Sequence, residues 1–246
     1  MFDNYPLIVA ANRDEHYDRP SQPPILPSRK PKILAGRDLR AGGTWLGVNE
    51  YGLLVGILNR RSNAEDVSRP TTRSRGLLCV DLLGLETAAR AREFLQAHQE
   101  SYNPFTVLCA DINQAELAYN AEERMVVRRL AKGLHVFSSG MVDFTARSEK
   151  VNRAYDRFAE FTDTRLETAS SKNTWVTELQ QILGDHTLGN GSSDPRDALC
   201  VHAEISGTVS SSIIRYSQHE RRFETFFCAG APCQNAFGES LSLDVP

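Results

Sequence analysis

The segment Tyr5-Pro6-Leu7-Ile8-Val9-Ala10-Ala11-Asn12-Arg13-Asp14-Glu15 runs from an apolar strand directly into an amide, a guanidinium and two carboxylates. The apolar half reads as a strand over Tyr5–Ala11, because β-branched and small apolar residues suit a half-buried sheet. The polar half reads as the end of that strand. Side chains of consecutive strand residues leave opposite faces. Arg13 and Asp14 can therefore meet only if the chain turns after Asn12. In that case Asp14 is placed to hold the guanidinium in a bidentate pair and fix its direction.

Working outward, Arg19–Pro31 carries five prolines and is expected to be an extended surface loop. Three short strands are predicted next, at Lys32–Ala35, Thr44–Val48 and Leu53–Leu58, joined by turns containing Gly43 and Gly52. A polar, arginine-rich loop follows over Asn59–Ser74. The spacing then predicts helices at Leu77–Leu85 and Glu86–His98, the second burying Thr87, Ala88, Ala91, Phe94 and Leu95. Strands return at Phe105–Ala110, Glu116–Tyr119, Met125–Leu130 and Leu134–Phe137, spaced for antiparallel hairpins. Helices at Arg147–Phe161 and Thr174–Leu183 precede a Gly/Ser/Asp loop over Gly184–Arg196. Three late strands are predicted at Ala198–Ile205, Thr208–Tyr216 and Arg222–Cys228, and the tail after Gly230 shows little pattern. Strands in runs and helices in blocks argue for antiparallel sheets covered by helices, and against a doubly wound parallel sheet.

Composition narrows the class. The net charge of −3 comes without basic blocks or an acidic tail, so neither nucleic acid nor a membrane surface is an expected partner. No apolar run is long enough to span a bilayer. Five cysteines, an odd number and scattered, fit free thiols in a reducing compartment, and the expected location is cytoplasmic. Cys109 and Cys200 stand in apolar surroundings and read as core. The six histidines show no ligand spacing, and there is no C-x-x-C and no phosphate-binding glycine loop. No metal and no other cofactor is therefore expected.

Several stretches together resemble a known family. They are Ala10-Ala11-Asn12-Arg13-Asp14-Glu15, Tyr17-Asp18-Arg19-Pro20, Leu34-Ala35-Gly36-Arg37-Asp38, Gly42-Gly43-Thr44-Trp45-Leu46-Gly47 and, more weakly, Gly207-Thr208-Val209-Ser210-Ser211-Ser212. The chain resembles the NRDE family, related to the transport and Golgi organisation protein 2 group. The likeness is dense over the first sixty residues and loose beyond. It implies an α+β fold of the N-terminal nucleophile hydrolase type, a four-layer αββα sandwich with two antiparallel sheets. The length, 246 residues, makes a single domain over residues 1–246 the expectation. Enzymes of that type use the first residue of the mature chain as nucleophile. Its own α-amino group, with an ordinary pKa near ~8, serves as base.

Family members open with Met-Cys and a further strand, whereas here Met1-Phe2 stands close to the segment quoted first. The expectation is a truncated N-terminal strand and a nucleophile absent from the sequence as given. By resemblance, Arg13 lowers the thiol pKa of such a nucleophile and Asp14 orients the amine or the guanidinium. Asn59, after Gly56-Ile57-Leu58, supplies an oxyanion donor. Asn12 offers a further amide donor to substrate. Ser139 stands where relatives often carry Asn, and so makes fewer hydrogen bonds to substrate or amine. Trp45 reads as core or pocket wall. Arg60 and Arg61 read as a solvated loop or an acid-binding pair. The implied function is cleavage of a non-peptide or linear amide C–N bond in a small molecule. The alternative is a non-catalytic binding or trafficking protein for a hydrophobic, haem- or lipid-related ligand.

Overall fold

A computed structural model describes residues 4–26, 30–60, 73–98, 102–121, 124–139, 148–167, 172–189 and 191–246. It divides into two compact units. One comprises Met1–Arg19, Gly133–Phe137 and Thr145–Ser242; the other comprises Pro20–Lys132, Ser138–Phe144 and Leu243–Pro246.

The second unit holds a seven-stranded antiparallel meander in chain order: β2 (Ser21–Ile25), β3 (Ile33–Asp38), β4 (Leu46–Asn49), β5 (Leu54–Asn59), β6 (Phe105–Ala110), β7 (Ala115–Ala121) and β8 (Arg124–Leu130). Helices α1 (Arg75–Leu83) and α2 (Ala88–Ala97) pack on it. Leu78, Cys79, Leu82 and Leu83 of α1 and Ala88, Ala91 and Leu95 of α2 meet Val55, Phe105, Val107, Cys109 and Ala118 of the sheet in one buried cluster. Each buried leucine contributes about 1.5–3 kcal/mol. Thr87, expected inside the apolar stripe, is instead the N-cap of α2, its hydroxyl accepting from Arg90 N at 3.2 Å. The proline-rich loop also contains a strand. β2 tolerates Pro23 and Pro24 because it is the sheet edge, where its register shifts between Gln22 and Ile25.

Two glycines of the quoted motifs have a steric reason. A Cβ on Gly43 would come within 2.2 Å of the Gly76 backbone, where Thr44 N donates to Gly76 O at the start of α1. A Cβ on Gly36 would collide with the indole of half-buried Trp45, so the ring needs bare backbone there.

A four-stranded sheet has the order β1 (Leu7–His16), β9 (Ser206–Ser217), β10 (Arg222–Cys228) and β11 (Leu241–Asp244), its first three strands lying in the first unit. β11 lies in the tail, where no strand was expected. Helices α3 (Glu149–Glu167) and α4 (Lys172–Leu183) cover one face. Val151, Ala154, Phe158 and Phe161 recur at helical spacing along α3, as do Trp175, Leu179 and Ile182 on α4. All but Val151 pack against Ile8, Ala10, Ile213 and Phe226. Two predicted strands are not regular strands. Leu134–Phe137 lacks regular structure. Ala198–Ile205 forms only an isolated bridge, His202 to Gly207, because its neighbour β9 already pairs with β1 and β10. Among the described residues, no helix is long and apolar enough to cross a membrane.

Candidate functional site

The strand does not end at Asn12. β1 continues through Asn12-Arg13-Asp14-Glu15 because β9 pairs it throughout: Asn12 with Ser211, Arg13 with Ser210, Asp14 with Thr208 and Glu15 with Gly207. The two motifs, 199 residues apart at Asn12 and Ser211, are therefore register partners. Gly207 is required there, since a Cβ would lie 2.4 Å from the Tyr17 hydroxyl and 2.5 Å from Val201 O.

Continuation of the strand corrects the expected Arg13–Asp14 pairing. A shift of register between Arg13 and Asp14 leaves Val209 as the extra residue on β9. The alternation of faces persists. Ile8, Ala10 and Asn12 face α4, whereas Arg13 points away from it. The ion partner of Arg13 is Glu15, two residues along, with Nη2 3.9 Å from its Oε2; Arg19 Nε approaches the same oxygen at 3.6 Å. Asp14 sits on the helix side. Its Oδ1 accepts from Thr208 Oγ1 at 2.6 Å and Lys150 Nζ of α3 lies 4.0 Å from Oδ2. Arg13 is buried, Asp14 exposed.

Asn12 follows the apolar residues of β1 for a structural reason. Its Nδ2 donates to Leu183 O at 2.8 Å and to Leu199 O at 2.9 Å, and its Oδ1 accepts from Ser211 Oγ at 2.6 Å. Leu183 is the last residue of α4, so the amide satisfies a carbonyl that the helix leaves orphaned. Both amide hydrogens are engaged with backbone. In this arrangement Asn12 ties β1 to a helix end and has no N–H left for a substrate.

Asn59 is the exposed last residue of β5, in register with Phe105. Ser139 is half-buried in a turn outside any helix or strand. Arg60 folds back on its own sheet: its guanidinium donates to Asn120 O and stacks over Tyr119, 5.4 Å from the ring centroid. Arg61 lies outside the described residues. Arg13, Asn12 and Asp14 belong to one unit, Asn59 and Ser139 to the other.

The cysteines divide sharply. Burial pushes the Cys79 thiol well up, and Cys109, between β5 and β7, is raised by the same cause. Neither can serve as a thiolate nucleophile near neutral pH. A grouping that ligand-spacing rules pass over gathers His186, Cys200, His202 and Cys233. The one signal for it in the chain is Cys200-Val201-His202, an i,i+2 pair that an extended backbone sets side by side.

Residues 2–228 match the family described as Transport and Golgi organisation 2. The Transport and Golgi organization 2 homolog of Mus musculus is 32% identical over 117 residues, which is 46% of this chain and 41% of the relative. The Homo sapiens homolog is 33% identical over 118 residues, again 46% of this chain and 41% of the relative. The matched segment thus spans well under half of either relative. Among solved structures, penicillin V acylase from Agrobacterium tumefaciens superposes with a TM-score of 0.55 at 12% identity, covering 99% of this chain and 96% of that one. A mutant conjugated bile acid hydrolase from Clostridium perfringens gives 0.53 at 12% identity, over 96% and 88%. The Caenorhabditis elegans ortholog of N-acylethanolamine-hydrolyzing acid amidase gives 0.53 at 14%, over 84% and 91%. At these identities the likeness is one of fold: α+β, with two antiparallel sheets, of the N-terminal nucleophile hydrolase kind.

Proposed function

Since the chain belongs to the Transport and Golgi organisation 2 family, we propose that it is an amidohydrolase of the N-terminal nucleophile type, acting on a non-peptide or linear amide C–N bond of a small molecule. The observation that carries this reading is Arg13. Its guanidinium is buried on β1, steadied by Glu15, in a fold shared with proteins named as an acylase, a hydrolase and an amidase. A buried cation beside a thiol favours the thiolate and so makes it a nucleophile at neutral pH. In this reading Arg13 is the activating residue. Asn59 is the amide donor to the tetrahedral oxyanion and Ser139 a substrate contact, both assigned on the sequence alone. Asp14 and Asn12 are positioning residues: one bonds to Thr208, the other to the end of α4.

The nucleophile of this reading is a cysteine with a free α-amino group at the head of the chain. The five cysteines of the sequence begin only at Cys79. The test is therefore the intact mass and first residue of the protein purified from its own cells, assayed on a panel of N-acyl amides. The expected result is a mature chain opening with Cys, with turnover that Arg13→Leu lowers about 100-fold in kcat/KM. A mature chain without that cysteine, idle on the whole panel, overturns the reading. Saturable binding of haem or a fatty-acyl ligand by such a chain would support the non-catalytic carrier instead.

A further inference from the structure

The side chains of His186, Cys200, His202 and Cys233 bring their donor atoms within 4.8 Å of one another. They come from three separate backbone segments. Cys200 Sγ lies 3.6 Å from Cys233 Sγ and 3.6 Å from His202 Nε2, and His202 Nε2 lies 3.3 Å from Cys233 Sγ. A tetrahedral zinc, with bonds of about 2.3 Å to sulfur and about 2.0 Å to nitrogen, has edges of about 3.8 Å between two sulfurs and about 3.5 Å between sulfur and nitrogen. Three edges of that tetrahedron are therefore already built. The His186 ring stands 4.9 Å from that of His202, placed to close the fourth vertex by a side-chain rotation.

The backbone holds these segments independently of any ion. Cys200 N donates to Asp185 O at 2.9 Å, which fixes His186 beside it. Val201 N donates to Thr208 Oγ1, and Thr208 N to Val201 O, so Cys200 and His202 are anchored on β9. Gln180 of α4 donates to Pro232 O at 3.0 Å and to Asn235 O at 3.2 Å, bracketing Cys233. Cys200 is buried while His186, His202 and Cys233 reach solvent, so an ion has an entry path. A cavity of about 180 Å³, lined in part by His186, Cys200 and His202, adjoins the donors.

We propose that His186, Cys200, His202 and Cys233 form a four-coordinate site for a single zinc ion. Two thiolates and two imidazoles are the donor set that selects zinc over magnesium, calcium or manganese. Binding releases the two thiol protons to solvent and leaves both imidazoles neutral, without change of oxidation state. With four protein ligands the site is structural. It staples the segment after α4 and the turn after β10 to the Cys200–His202 segment that Thr208 holds beside β9. This inference stands apart from the hydrolase reading and needs no nucleophile.

The test uses the full chain, purified under reductant, stripped with a chelator and titrated with zinc against a chromophoric competitor. One equivalent is expected to bind. Cobalt in its place is expected to show the intense visible bands of a tetrahedral site and thiolate-to-cobalt charge transfer. Cys233→Ser and His202→Ala should each weaken zinc more than about 100-fold, beyond the loss expected from removing a residue that only supports a ligand, while the exposed His219→Ala leaves binding unchanged. A measurement without variants guards against misfolding: zinc should protect Cys200 and Cys233 from alkylation, read by mass spectrometry. Failure of the reduced, folded chain to bind zinc, or cobalt bands lacking thiolate charge transfer, overturns the site. So does alkylation of Cys233 that zinc does not slow.

Discussion

Asn12 and Asn49 invite comparison, because they do the same work in the two units. Asn49 ends β4, and its Nδ2 donates to Leu83 O at 2.8 Å and Leu85 O at 2.7 Å, at the C-terminus of α1. Its Oδ1 accepts from Tyr51 N and Leu53 N, both at 3.0 Å. Asn12 makes the same strand-to-helix tie to the end of α4, with three bonds instead of four and only partial burial. Asn49 has no exposed surface at all. In the sequence Asn49 reads as an ordinary turn residue and Asn12 as part of a reactive cluster. The structure makes them equivalents. An amide after an apolar strand is thus explained by orphaned helix carbonyls before it is explained by chemistry.

The comparison breaks most readily at its stronger member. Asn49→Ala leaves two carbonyls and two amide N–H groups without their partner in a dry site, and is expected to cost about 4 kcal/mol in urea unfolding. A loss under about 1 kcal/mol would mean that water replaces the amide and that burial is not what distinguishes the two. Asn12→Ala removes fewer bonds at a wetter site, and about 2 kcal/mol is expected. Ser211→Ala withdraws one bond from Asn12 Oδ1, for about 1 kcal/mol in the same titration.

Cysteine labelling reads the units separately. Burial holds Cys79 and Cys109 as protonated thiols, so folded, zinc-free protein should leave both unlabelled by iodoacetamide at pH 8 while exposed Cys233 reacts. Asn49→Ala is expected to speed labelling of Cys79 and Cys109, which lie in its unit, and Asn12→Ala to leave their rates nearly unchanged. Equal acceleration by both variants would show that the two ties are not local.

A second pairing differs in kind. Glu224 on β10 pairs with Arg215, Nε to Oε2 at 2.8 Å, both residues buried, with the guanidinium over the rings of Tyr5 and Trp175. Glu116 on β7 is equally buried but held by two arginines that reach it from the rim, Arg92 at 3.1 Å and Arg129 at 3.0 Å. Removing one rim arginine leaves a partner in place. Removing Arg215 breaks a buried ion pair from one side, a loss of about 3–5 kcal/mol.

Most elements were legible locally. Phe105–Ala110 is a strand with the predicted bounds, and the apolar stripes of α2, α3 and α4 stand at helical spacing in the chain itself. Elements defined by a distant partner were not legible. β2 hides among prolines because only an edge position excuses them, and β11 in the tail exists by its place next to β10. Ala198–Ile205 has strand composition, but the strand beside it, β9, already pairs on both sides with β1 and β10.

The site divides along the same line. Residue order alone determined that Asn12, Arg13, Asp14 and Glu15 form a polar set on a strand of an α+β fold, since composition, alternation and motif are local properties of the chain. Which face each side chain takes, and with whom it pairs, only tertiary structure decided. The register of β1 on β9 sends Arg13 to Glu15 and Asp14 to Thr208, and the end of α4 claims the Asn12 amide. Likewise His186 and Cys233 meet Cys200 and His202 only because α4 and β10 deliver them from far along the chain. Hydrogen bonds and metal geometry depend on distances in space, and spacing in sequence does not encode those.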